Sequence, residues 1–231
     1  MFLMKLRQNL KLSYLGLLII IATLGCMQKS EIKQPIFPSQ HEEVKVIEIK
    51  RLTYDEAQDT SPTWNPDGKQ IAFVSKRTGS YRIWVMDADG SNLRILDPKT
   101  LHLSGYENNP SWSKRGIVFE SSRAGNLDIW LMDSEGNSVR LTADEDCDAL
   151  TCPVDMEPSW SPDGKWIAFA SADEPMKFDI WITKVDGSPT ICLTTNESID
   201  RYPRWKGNEI VFTSTRSGGG DIYVLKLKFS S

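Results

Sequence analysis

The sequence predicts an all-β fold, a β-propeller of four four-stranded blades, and three observations predict it. A pattern of about 45 residues occurs four times between Lys50 and the C-terminus, a period that belongs to propeller blades rather than to smaller repeats. Within each copy, short apolar runs rich in Ile, Val, Phe and Trp alternate with Pro-Asp-Gly, Asp-Gly or Gly-Ser punctuation, which reads as strands joined by tight turns. Both faces of these strands are apolar, so both need cover, and stacked sheets provide it.

The elements follow in chain order. Lys5, Arg7 and Lys11 precede an uncharged, mainly apolar stretch from Leu12 to Leu24, closed by Gly25-Cys26. Thirteen residues fall short of the roughly 20 that a transmembrane helix needs, and the arrangement has the shape of a secretory signal over residues 1–25. A cysteine in this place resembles the bacterial lipoprotein signal, which implies that Cys26 is lipidated and becomes the mature N-terminus. An ordinary cleaved signal and an uncleaved anchor are the alternatives. Residues 26–43, with Pro35 and Pro38 and mixed charge, read as the lipidated cysteine and a flexible tether.

Residues 44–231 form the single propeller domain, with blades at approximately 54–96, 97–142, 143–194 and 195–228. Val44–Thr53 alternates apolar with polar and ends in Arg51-Leu52-Thr53, the phrase that recurs at Arg140-Leu141-Thr142. The first three copies each hold a fourth strand (Leu93–Leu96, Val139–Leu141, Ile191–Leu193), whereas the last ends after three. The strand at 44–53 is therefore expected to complete blade four and close the ring. A ring of eight blades made by two chains is the alternative; closure within one chain makes a monomer.

Each copy opens on an acid and a proline before a tryptophan: Asp59, Pro62 and Trp64; Glu107, Pro110 and Trp112; Asp155, Pro158 and Trp160; Asp200, Pro203 and Trp205. Ile-Ala-Phe or Ile-Val-Phe follows, then Ile83-Trp-Val-Met86, Ile129-Trp-Leu-Met132, Ile180-Trp-Ile182 and Ile222-Tyr-Val-Leu225. With Asn65-Pro-Asp-Gly68, Ser161-Pro-Asp-Gly164 and Arg140-Leu-Thr142, these phrases resemble the propeller repeat of the TolB family, a periplasmic component of an envelope system. The resemblance covers residues 50 to 228. It implies an exported, envelope-facing propeller, facing the periplasm or exterior. It implies less about activity, because the same repeat decorates peptidases and lyases. The chain departs from the family in having four repeats and no separate N-terminal domain, and copies two and four lack Pro-Asp-Gly.

Three constellations bear on function. The acids Asp59, Glu107, Asp155 and Asp200 recur at equivalent places, where four carboxylates near one channel mouth suit a Ca²⁺ ion. The simpler reading is that each accepts backbone N–H bonds in a turn. Ser-x-Arg-x-Gly occurs at Ser75-Arg77-Gly79, Ser121-Arg123-Gly125 and Ser214-Arg216-Gly218, where arginine can pair with an acid such as Asp128 or Asp221 at the next strand. Seven of eight tryptophans hold repeated positions and read as packing between blades; Trp166 alone is out of register.

The third constellation is where the repeats cease to match. The connections Asp97–Tyr106 and Ala143–Val154 are longer than their counterparts, and insertions on a rigid scaffold are where recognition usually resides. Leu101, His102, Leu103 and Tyr106 offer apolar contact beside an acidic lobe of Asp144, Asp146 and Asp148, a surface suited to an envelope protein or glycan. Bare variable loops are the alternative. Cys147 and Cys152 lie five apart in this lobe, spaced for a disulfide in an oxidising compartment, with Cys192 a small buried apolar residue.

The net charge of -4 argues against a nucleic-acid partner, since no basic stripe exists to neutralise phosphates. The two histidines, His41 and His102, stand in no nucleophile-elbow or zinc-protease spacing, and no catalytic residue is predicted. The sequence expectation is a non-enzymatic scaffold that touches the membrane only through its lipid. The competing classes are a polysaccharide lyase or hydrolase acting through channel-mouth acids, and a carbohydrate-binding module.

Overall fold

The structure, a computed structural model, describes residues 46–100, 104–133, 135–143, 152–174 and 176–229. The chain divides into two units, Met1–Ile49 and Lys50–Ser231. Residues 46–49 of the first are exposed and carry no strand. All fifteen strands found among the described residues belong to the second.

The first sheet is β1 (Asp59–Trp64), β2 (Gln70–Ser75), β3 (Arg82–Asp87) and β4 (Arg94–Ile95), followed by a 3-10 turn at Pro98–Thr100. The second is β5 (Glu107–Ser113), β6 (Gly116–Ser121), β7 (Asp128–Met132) and β8 (Ser138–Arg140). The third is β9 (Val154–Trp160), β10 (Trp166–Glu174), β11 (Lys177–Lys184) and β12 (Thr190–Cys192), and the last is β13 (Asp200–Lys206), β14 (Glu209–Ser214) and β15 (Asp221–Lys226). Each is an antiparallel meander in sequence order. The repeated phrases set the register: Phe73 faces Trp84, Phe119 faces Trp130, Phe169 faces Trp181 and Phe212 faces Tyr223, cross-strand aromatic pairs of the kind that stabilise sheets.

The acid and proline of each copy lie inside the first strand of its sheet rather than in a turn. Register shifts fall between Thr60 and Thr63, Asn108 and Ser111, and Arg201 and Arg204, and between Ala168 and Ala170 on the strand facing β9. Ser61, Asn109, Glu157 and Tyr202 have positive φ. Each stands immediately before the proline, so the bulge accommodates a residue that cannot donate to the ladder.

Packing runs from each sheet to the next. Ala72, Val74, Ile83 and Val85 of the first sheet meet Ile117, Phe119 and Met132 of the second. Val118, Ile129 and Leu131 then meet Ile167 and Phe169 of the third, and Ala168 and Ile182 meet Ile210 of the last. No hydrophobic cluster joins the first sheet to the last among the described residues.

Closure by a strand at 44–53 is not confirmed among the described residues, and Val44 and Lys45 lie outside them. Residues 46–53 carry no strand, and the last sheet has three. Lys50–Thr53 instead lies along the first sheet. Leu52 packs on Ile71, Phe73 and Met86, and Lys50 Nζ donates to the Asp89 carbonyl at 3.0 Å. Leu52 comes so close to the Asp87–Gly90 turn that a Cβ at Gly90, whose φ is +94°, would meet its carbonyl at 3.1 Å.

Two motifs join into one device. Arg77 Nη2 donates to both Asp59 carboxylate oxygens at 3.1 Å, Arg123 pairs with Glu107 at 2.5 Å and with Asp97 at 3.0 Å, and Arg216 pairs with Asp200 at 2.7 Å. The arginines were expected at Asp128 or Asp221, but sheet register places the acid opposite the serine two residues before the arginine: Asp59 faces Ser75, Glu107 faces Ser121 and Asp200 faces Ser214. Asp128 pairs with Arg140. Each Ser-x-Arg arginine also stacks over the cross-strand aromatic pair: Arg77 on Phe73 and Trp84, Arg123 on Phe119 and Trp130, Arg216 on Phe212 and Tyr223. Burial pushes the Asp59 and Asp200 carboxyls up, but hydrogen bonds from Ser75, Thr53 and Arg77, and from Ser214, Ser198 and Thr194, outweigh it and hold both below the ordinary carboxylate range.

The second sheet holds the most enclosed of these clusters, with the Arg123, Glu107 and Asp97 side chains all 5% exposed or less. Arg123→Met therefore leaves two buried carboxylates uncompensated and costs about 3–5 kcal/mol in urea unfolding. The same change at Arg216, which is one-third exposed, costs about 1 kcal/mol. Equal losses at the two positions would contradict this reading.

Candidate functional site

The longer connection after the first sheet ends in a fixed aromatic. The Arg82 guanidinium, itself buried, donates to the Gly105 carbonyl at 2.7 Å, and the Tyr106 N–H donates to Ser122 Oγ at 3.0 Å. Gly105 has a φ of +100° and lies against Ser122 so closely that a Cβ would come within 2.7 Å; only glycine fits there. Tyr106 consequently stands at a set position beside β5, partly exposed. Burial raises its phenol pKa, and the Glu120 charge adds to that.

Tyr106 lines a cavity of about 420 Å³ with Gln58, Thr60, Ser61, Tyr81 and Asn108. Tyr81 donates to Gln58 Oε1 at 2.8 Å, and Lys76 Nζ lies 5.5 Å above its ring. The lining offers hydroxyls, amides and two aromatic faces. Such groups can offer stacking and hydrogen bonds to a ligand. Gln58, Thr60 and Tyr81 were not singled out in the sequence. The available signal was Tyr81, an aromatic before β3 where Leu127 and Gly220 stand in the second and fourth copies.

The other predicted residues fall as follows. Leu101, His102, Leu103, Asp144, Asp146, Asp148, Cys147 and Cys26 lie outside the described residues. Cys152 is disulfide-bonded, and Cys192 is partly buried, its Sγ 2.8 Å from the Thr194 carbonyl. Asp59, Glu107 and Asp200 are directed to the arginines of their own sheets; in the third copy Ser171-Ala172-Asp173 replaces Ser-x-Arg, and Asp155 is buried opposite Ser171. No group of three or more His, Cys, Asp or Glu is placed to hold a metal ion among the described residues. Trp166 is partly buried against Phe229, and the exposed repeat tryptophan is Trp64.

Sequence reading also passed over a pair of buried glutamates on β6 and β9, strands of neighbouring sheets. Glu120 Oε2 accepts from Asn109 Nδ2 at 3.0 Å and from the Glu157 N–H at 2.8 Å. Glu157, at the bulge position, is bonded to Arg201 and accepts from the Tyr202 N–H at 2.7 Å. Burial pushes the Glu120 carboxyl up, and the Glu157 charge pushes it further. A carboxyl raised on folding binds its proton more tightly in the native state, so its ionisation costs stability as pH rises through the folded value. Glu120→Gln, whose amide oxygen can still accept both bonds, gains melting temperature relative to the parent as pH rises above the ordinary glutamate range. A difference that stays constant with pH would refute this assignment.

Comparison with known proteins agrees with the architecture. The TolB beta propeller domain family matches residues 42–149. An uncharacterized protein of Agrobacterium fabrum is 46% identical over 48 residues, covering 20% of this chain and 16% of that protein. The solved structure of a putative TolB from Agrobacterium tumefaciens superposes with a TM-score of 0.60 at 25% identity, covering 72% of this chain and 61% of the other. An oligogalacturonate lyase from Vibrio parahaemolyticus gives 0.58 at 15% identity, over 78% of this chain and 52% of the lyase, a likeness of fold alone. The chain spans about a sixth of the length of the curated relative and about three fifths of the putative TolB. The four repeated sheets are those of a β-propeller, and over residues 42–149 the chain is similar to the TolB beta propeller domain family.

Proposed function

We propose that this chain is a non-enzymatic scaffold of the cell envelope, exported, held to a membrane by lipid on Cys26, and binding an envelope protein or glycan through the rim where its longer connections emerge. The observation that supports this most is the Tyr106 anchorage. Arg82, Gly105 and Ser122 fix the end of one such connection, so that Tyr106 and Tyr81 face a shared cavity. A preformed aromatic pair loses little conformational entropy on binding. The described lining carries hydroxyls, amides and two aromatic rings, a set suited to recognition by hydrogen bonds and stacking. Leu101, His102, Leu103, Asp144, Asp146 and Asp148 extend this rim in the proposal, and the TolB resemblance supports the compartment.

The second reading is a polysaccharide-active enzyme or a carbohydrate-binding module. It draws support from the lyase that shares the fold.

Affinity capture from envelope extracts, with the captured protein identified by mass spectrometry, separates them. Capture should fall at least tenfold on Tyr106→Ala with Tyr81→Ala, and also on shortening the 97–106 and 143–154 connections. Cys26→Ala should move the chain from the membrane fraction to the soluble one. Turnover of a polysaccharide panel that disappears on Asp155→Asn would overturn the scaffold in favour of the enzyme.

A further inference from the structure

Three arginine side chains lie in slots of one design. In the first sheet Arg77 Nε donates to Ser75 Oγ at 2.8 Å, Nη2 reaches Asp59, and the guanidinium carbon stands 4.8 Å from the centre of the Trp84 ring. In the second, Arg123 meets Ser121 at 3.1 Å, the Glu107 and Asp97 carboxylates, and Trp130 at 4.9 Å. In the last, Arg216 meets Ser214 at 2.8 Å, Asp200, and Tyr223 at 4.8 Å. Four walls recur: the acid of the first strand, the serine paired opposite it, the phenylalanine two residues before that serine, and the aromatic facing the phenylalanine. The residue after Leu52, Leu96 or Leu193 adds a fifth: Thr53 bonds the Asp59 carboxylate, Asp97 pairs with Arg123, and Thr194 bonds the Asp200 carboxylate.

The third sheet keeps every wall and changes what the chain puts between them. Asp155 faces Ser171 and Phe169 faces Trp181, the same registers as in the other sheets, and Thr142 follows Leu141. The copy reads Ser171-Ala172-Asp173 where the others read Ser-x-Arg, and β10 runs on to Glu174 instead of ending at the serine as β2, β6 and β14 do. A cavity of about 240 Å³ stands there, lined by Asp155, Ser171, Phe169, Trp181 and Thr142, the counterparts of all five walls. Asp155 and Ser171 are buried. Trp181 is half-buried and Thr190, also in the lining, is exposed, so the cavity opens to solvent. The cations of β11 and β13 that stack on aromatic rings do so elsewhere, Lys184 on Trp166 and Arg201 on Phe178 and Tyr202.

We propose that the slot of the third sheet binds a guanidinium group from outside the chain, carried by an arginine residue of a peptide or by free arginine. The chain itself supplies the precedent three times over, since the same five walls hold a guanidinium in each of the other sheets. A planar guanidinium can give two N–H groups to the Asp155 carboxylate and Ser171 Oγ while its face lies on Trp181 and Phe169. A lysine ammonium is a compact, strongly hydrated point charge, which can meet the carboxylate but offers no plane to the rings. The site is separate from the cavity beside Tyr106, and the inference does not depend on the scaffold reading.

The test is calorimetric titration of the full chain in detergent with N-acetyl-arginine amide and with free arginine, beside the amides of lysine and citrulline. One or both arginine probes should bind at millimolar concentration or below, at least tenfold more tightly than citrulline, which keeps the shape without the charge, and lysine, which keeps the charge without the plane. Tighter binding of the blocked arginine assigns the site to a peptide, and tighter binding of free arginine assigns it to the amino acid. Asp155→Asn should abolish binding. Asp173→Arg writes Ser-x-Arg back into the third copy and supplies a guanidinium from within, so it too should abolish binding, with circular dichroism unchanged and a melting temperature no lower than the parent's. That variant decides the matter if Asp155→Asn fails to fold. Absence of binding to the parent, equal binding of lysine or citrulline, or binding that survives either variant would overturn the proposal.

Discussion

A sheet written as Ile-Ala-Phe beside Ile-Trp-Val-Met is apolar on both faces, and water leaves those faces only when another sheet lies on each. Every other feature of the molecule follows from this need. The leucine at the end of one sheet's last strand reaches over to the isoleucine and phenylalanine of the next, so burial in one repeat presupposes its neighbour. The rule is obeyed three times along the chain, while Ile222 and Val224 of the last sheet stay exposed.

The same repetition organises charge. Asp59, Glu107 and Asp200 sit on the inner strands and are held by arginines that come from the turn after the second strand and lie on the aromatic pair between strands two and three. One guanidinium thus ties three strands of a sheet. A buried carboxylate tolerates its position because the arginine and serine satisfy it. Rigid sheets of this kind hold the Arg82–Gly105 contact in place and, through it, Tyr106, so the cavity beside Tyr106 inherits its order from the repeat.

Much of this was legible in the sequence, and the losses have physical causes. The strands and their aromatic pairs could be read because Ile-Ala-Phe and Ile-Trp-x-Met carry period-two patterning in each copy. Pro62 and its counterparts pointed to turns, since proline removes a ladder donor; the bulges at Ser61, Asn109, Glu157 and Tyr202 remove the conflict and are invisible without a partner strand. Arg77 and Arg216 looked nearer to the following strand because proximity along the chain is all a sequence offers, whereas register across β1 and β2 carries Asp59 to Ser75. Val44–Thr53 has the alternation of a strand, but alternation names no edge to pair with. The cavity beside Tyr106 depends on Tyr81 and Gln58, which belong to no repeated phrase, and on a glycine contact that only the folded chain reveals.

Amide hydrogen exchange on the intact chain tests the dependence of each sheet on its neighbour most directly. The account predicts that β3, β7 and β11, whose apolar side chains are covered, exchange slowly, and that β15, with Ile222 and Val224 exposed, exchanges faster. Protection of β15 equal to that of β7, or exchange of β7 and β11 as fast as that of β15, would contradict it.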